Sequence, residues 1–183
     1  MRNNSLLLLL ISFLAACSGK RDANQNVGVV WELGAINAVA GDSGNVNLPI
    51  LKCSLNGFVE DVSEYRAWAA KRKNDNAAIS VTVPVAGTYY PAFIFYDGAG
   101  DERIGIFVNG KQAGVAAAVA DDNRQKLFFL TGAQTFKGGE TIELRALTNT
   151  GQYKTEDLFL LKEKPQPKAF SYVISEIGAR TTA

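Results

Sequence analysis

The chain has 183 residues, 47% of them hydrophobic and 10% aromatic, with 19 basic and 18 acidic side chains and a formal net charge of +1. So even a balance leaves no electrostatic footprint for nucleic acid, and two cysteines are too few for a disulfide framework. Histidine is absent altogether, which removes Ser-His and Cys-His nucleophile activation and the commonest transition-metal ligand.

At the N-terminus, Arg2 precedes an apolar stretch from Leu6 to Leu14 that only Ser12 interrupts. The stretch is too short to span a bilayer, which takes about 20 residues, and reads as a processing segment over residues 1–16. It ends in Leu14-Ala15-Ala16-Cys17, which resembles the lipobox of bacterial lipoproteins. That resemblance implies acylation of Cys17, which becomes the new N-terminus, and a membrane attachment by palmitate-type chains. Ser18 after the cysteine is similar to outer-membrane sorting signals. Polar residues 17–27 follow as a tether. With Cys17 lipidated, Cys53, between Leu51 and Leu55, is expected to be a small buried hydrophobe.

From 28 to 161, short apolar-alternating runs are separated by Gly, Asn and Asp, the grammar of an all-β sandwich. Residues 78–85 place Ile79, Val81, Val83 and Val85 on one face, with Pro84 limiting the strand. A long aromatic strand follows Gly87, with Tyr89, Phe93 and Phe95 sharing a face, and Asp97 to Asp101 has hairpin-loop composition. Residues 102–109 form the next strand, ended by Asn109-Gly110, a type I′ turn signal. Lys126–Leu130, Thr141–Leu147 and 156–161 complete the expected strands. Over 60–73, Val62, Tyr65, Trp68 and Ala69 fit a short helix as well as a strand. Residues 162–183 read as a linker, with FSYVISEI as one further strand.

Three pieces, in order, resemble the bacterial carbohydrate-binding modules of families 6 and 35, which are galactose-binding-like (jelly-roll) β-sandwiches. They are Gly87-Thr88-Tyr89 leading to Tyr96-Asp97-Gly98, then Ile104 to Gly110, then Gly138 to Leu144 followed by Glu156 to Leu160. Residues 28–86 match more loosely, through Trp31-Glu32. In that family two glutamates of the first strand and an aspartate of the closing strand surround a structural calcium. The resemblance assigns Glu32 and Asp157 to that metal site. The second glutamate falls on Val30 or Gly34, which have no side-chain oxygen to offer, and calcium takes six to eight oxygens. The competing reading makes Glu32 and Asp157 strand-end carboxylates that accept backbone hydrogen bonds.

Sugar recognition in such modules combines an aromatic platform for the apolar pyranose face with short polar side chains for the hydroxyls. The candidates are Tyr65 and Trp68, Asn123 beside Asp121 and Asp122, and Asn149 and Tyr153 ahead of the closing strand. For Trp68 core packing competes with a platform role, whereas Tyr153, flanked by polar residues, is expected to be exposed. Thr155 stands where the resemblance predicts Asn. The acidic pairs are sequence neighbours in loops, unlike carboxylates facing each other across a cleft. DGAGDE lacks the third and twelfth ligands of an EF-hand. The sequence therefore implies a non-catalytic, lipid-anchored glycan-binding protein of the cell envelope. The alternative is a lipoprotein whose sandwich docks an envelope protein.

Overall fold

The computed structural model describes residues 26–30, 41–42, 44–62, 68–72, 76–96, 98, 100, 102–118, 124–148 and 153–166. Its strands are β1 (Val27–Val30), β2 (Val46–Leu48), β3 (Ser54–Asn56), β4 (Phe58–Val62), β5 (Trp68–Arg72), β6 (Ala78–Thr82) and β7 (Ala86–Tyr96). They continue as β8 (Glu102–Val108), β9 (Lys111–Ala118), β10 (Gln125–Leu130), β11 (Gln134–Lys137), β12 (Thr141–Ala146) and β13 (Lys154–Leu161). A 3-10 turn, Ile50–Lys52, follows β2. The first sheet runs β1-β10-β7-β13-β5-β4, with β11 on β7 and β2 on β13, and the second runs β3-β6-β12-β8-β9. Every described strand pairing is antiparallel. The chain is an all-β sandwich, as its alternation predicts.

The main core lies between the sheets. Phe93, Phe95, Phe128, Leu130, Leu158 and Leu160 of the first sheet meet Ile79, Val81, Ile104, Ile106, Ile142 and Leu144 of the second. Phe93 and Phe128 stack at 5.5 Å, and Phe95 meets both edge-on at 6.4 and 5.9 Å, arrangements that suit the ring quadrupoles. Cys53 packs half-buried against this core. Burial pushes its thiol up to about 11, with the nearby Asp157 charge adding to the rise, so it behaves as a small apolar group.

The first sheet is unusual in being apolar on its outer face too. Val30, Ala92, Ile94, Leu127, Phe129, Phe159 and Leu161 form a second buried cluster there. The sequence carries the signal in AFIFY, KLFFL and LFLL, which are continuous apolar runs rather than alternating ones. Such runs are the mark of strands buried on both faces.

Turn chemistry explains the connections. Asn109 and Gly110 both have positive φ, 50° and 74°, as a type I′ hairpin between β8 and β9 requires. Pro91 falls in β7 between the residues that pair with β11, up to Tyr89, and those that pair with β10, from Ala92, where its missing N–H is tolerated. The ambiguous 60–73 region resolves as the β4–β5 hairpin, with Val62 paired to Trp68. Strand β9 is not predicted by its Ala- and Gly-rich sequence; seven rungs to β8 impose it, so context overrides propensity.

Candidate functional site

Antiparallel registers bring four connections to one end of the sandwich. Tyr96 at the end of β7 pairs with Gln125 and with Lys154, the first residues of β10 and β13. Glu102 pairs with Ala118, and the end of β12 is tied down by Ala146 N to Ala77 O at 2.9 Å and Leu147 N to Arg103 O at 2.8 Å. The connections 73–77, 97–101, 119–124 and 147–153 therefore leave from the same rim. Asn123 and Asn149 belong to two of these connections and lie outside the described residues.

Tyr153 stands at this rim but does not face solvent. It is 1% exposed, and its ring meets Phe95 edge-on at 6.1 Å. Its hydroxyl accepts from Arg103 N at 2.9 Å and Thr148 N at 3.2 Å, donates to Arg103 O at 3.1 Å, and also contacts Thr148 Oγ1. The expectation of an exposed sugar platform is thus corrected. The phenol is long enough to place its ring in the core and its oxygen among backbone groups that need partners, so Tyr153 clasps β8 to the chain leaving β12.

A second polar group on the outer face at the same end is missed by the sequence reading. Tyr96 Oη donates to Glu156 Oε1, and Gln125 Nε2 reaches Tyr96 Oη and Glu156 Oε1, both at 2.9 Å. Lys154 Nζ lies 5.3 Å from the Tyr96 ring and 3.5 Å from Asp61 Oδ2. Polar residues Gln125 and Glu156 beside long apolar runs were the available signal. Their hydrogen bonds are made to one another, so this group forms a floor that fixes the ends of β7, β10 and β13.

Trp68 does not join this rim. Lys71 pairs with Lys154, and β5 runs away from there, which puts the Trp68 backbone three residues down the sheet, roughly 10 Å away. Its strand position is described and its side chain is not; Tyr65 lies outside the described residues, as do Cys17 and Glu32. Among the described candidates, Tyr153 stands at the rim and the Trp68 backbone lies further down the sheet.

Asp157 sits where β13 bulges between Thr155 and Leu158. Its Oδ1 accepts the backbone N–H of Ile50 at 2.9 Å and its Oδ2 accepts from Asn47 Nδ2 at 3.1 Å. Each oxygen thus accepts from an N–H donor, and the Ile50 bond ties Asp157 to the start of the 3-10 turn. No group of three or more Asp, Glu, Cys or His that could hold a metal occurs among the described residues.

No protein-family model matches the chain, and no curated protein matches its sequence. Solved structures do match. A family 35 carbohydrate-binding module from Clostridium thermocellum aligns at a TM-score of 0.54 and 13% identity, over 64% of this chain and 97% of its own. The C-terminal family 6 module of a laminarinase from Zobellia galactanivorans aligns at 0.51 and 10%, over 64% and 99%. A family 36 module of a xylanase from the hindgut metagenome of Trinervitermes trinervoides aligns at 0.53 and 14%, over 66% and 98%. With two antiparallel sheets in common and nearly the whole of each module covered, the chain has the β-sandwich fold of the family 6 and family 35 type of carbohydrate-binding module.

Proposed function

We propose that this protein is a non-catalytic glycan-binding lipoprotein, held through lipid on Cys17 at a cell-envelope membrane, the outer one in the sense of its Ser18 signal. The observation that carries the reading is that the sandwich matches complete carbohydrate-binding modules over 97–99% of their length. The loops at the rim then offer the ligand its contacts, because the polar groups of the rim floor are engaged with one another. Asn123 and Asn149, on connections that leave this rim, supply amides for sugar hydroxyls. The protein holds a polysaccharide or oligosaccharide near the membrane for partner enzymes or transporters.

Native gels cast with a panel of soluble polysaccharides test the binding. Retardation by one polymer class, weakened by Asn123→Ala or Asn149→Ala, is the expected result. Unretarded migration in every gel, by protein with an intact thermal transition, would shift the assignment to a protein-docking lipoprotein. Membrane attachment is tested separately: Cys17→Ser leaves the signal uncut or releases the protein, and a processed, membrane-bound variant would refute the anchor.

A further inference from the structure

An asparagine followed by glycine is a step at which the backbone readily attacks its own side chain. Glycine puts no Cβ beside the attacking nitrogen and lets the chain turn freely. The chain has two such steps, Asn56-Gly57 and Asn109-Gly110. The other described asparagines, Asn26, Asn45, Asn47 and Asn76, precede Val, Val, Leu and Ala. The fold treats the two Asn-Gly steps differently.

Asn109 is held from both ends. Its Oδ1 accepts the N–H of Thr141 at 3.1 Å, and its own N–H donates to Thr141 O at 2.9 Å. Its φ of 50° belongs to the hairpin turn between β8 and β9. Swinging its carboxamide toward Gly110 N would break the bond that fixes the start of β12.

Asn56 carries no such restraint. It ends β3, a three-residue strand at the edge of the second sheet, and it is exposed. Neither its side chain nor the N–H of Gly57 has a hydrogen-bond partner among the described residues. Gly57 lies between β3 and β4, in neither strand, with φ 73°. Carbonyl carbon and peptide nitrogen are therefore free to meet.

From this contrast we infer that Asn56 is a site of self-modification in the folded protein and that Asn109 is protected. The nitrogen of Gly57 attacks Cγ of Asn56, forming the N–Cγ bond. The Cγ–Nδ2 bond breaks, and Nδ2 leaves as ammonia with the Gly57 proton. Water then opens the succinimide at either carbonyl, giving aspartate or isoaspartate. Nothing is oxidised or reduced. Asn56 pairs with Ala78, which pairs with Arg145, so the new carboxylate stands on the outer face of the second sheet, two strand spacings or about 10 Å from the Arg145 backbone. Isoaspartate also lengthens the main chain by one methylene just before Phe58, which is buried in the core. The chemistry needs no ligand and holds whether or not the glycan reading does.

The test ages the full chain in mildly alkaline buffer made with heavy-oxygen water, which labels each opened succinimide. One sample is folded and a parallel one is unfolded in urea. Both are digested in acid and mapped by mass spectrometry. In the folded sample Asn56 is expected to convert several-fold faster than Asn109, and in urea the two rates converge. Folded protein that converts at Asn109 as fast as at Asn56, or at neither, would overturn the inference. A gap that persists unchanged in urea would overturn it too, because the fold would then not be what separates the two sites.

Discussion

Replacing Tyr153 by phenylalanine removes one oxygen and leaves the ring beside Phe95. That oxygen accepts from the backbone N–H groups of Arg103 and Thr148 at 2.9 and 3.2 Å and donates to Arg103 O at 3.1 Å, in a side chain 1% exposed. A buried polar group deprived of its partner costs about 1–3 kcal/mol. With two donors affected and some relaxation at the rim, Tyr153→Phe is expected to lower stability by about 2 kcal/mol. For a chain of this size that is roughly 4–8 °C in Tm. Urea denaturation followed by tryptophan fluorescence reads the difference, and polysaccharide affinity measured well below the transition should be unchanged. A variant as stable as the parent within about 0.5 kcal/mol, or one that stays folded and loses glycan binding, would refute the clasp.

Other substitutions probe other parts of the structure. A Cβ on Gly28 would fall 2.2 Å from Cζ of Phe129, so Gly28→Val displaces that ring and costs about 1–3 kcal/mol, read in the same denaturation assay. Asp157→Ala removes the acceptor of Ile50 N–H and is expected to cost about 1 kcal/mol. If that carboxylate acts as a cap, chelator leaves the Tm of the parent protein unchanged, and a marked fall in chelator would restore a metal role for Asp157. In a Cys17→Ser background, Cys53 should resist alkylation at pH 8 until the chain unfolds, because its thiol is pushed up to about 11. The sign follows: this group favours the folded state below its ordinary value near 9 and loses that contribution as pH rises toward about 11, visible as a falling Tm across that window.

Much of the fold is legible because alternation and turn residues act locally. Ile104, Ile106 and Asn109-Gly110 need no knowledge of the rest of the chain to announce a strand and a hairpin. Strand β9 is not legible, since its alanines are held extended by β8. Tyr153 misleads for a related reason. Polar neighbours in sequence suggest exposure, but the residue occupies the junction of β8, β12 and β13, and that junction exists only in three dimensions. Trp68 and Tyr153 are both candidate platform aromatics in the sequence, and the register of β5 on β13 places their backbones apart. The outer apolar face is written plainly in AFIFY, KLFFL and LFLL, but expecting strict alternation hides it.

The most direct test of the central claim is a glycan-array screen of the processed protein without its lipid, with folding verified on the same sample. Reproducible binding to one class of glycan, retained in Tyr153→Phe and lost when the rim residues Asn123 and Asn149 are replaced together, is the predicted result. Silence across the array from folded protein would contradict it.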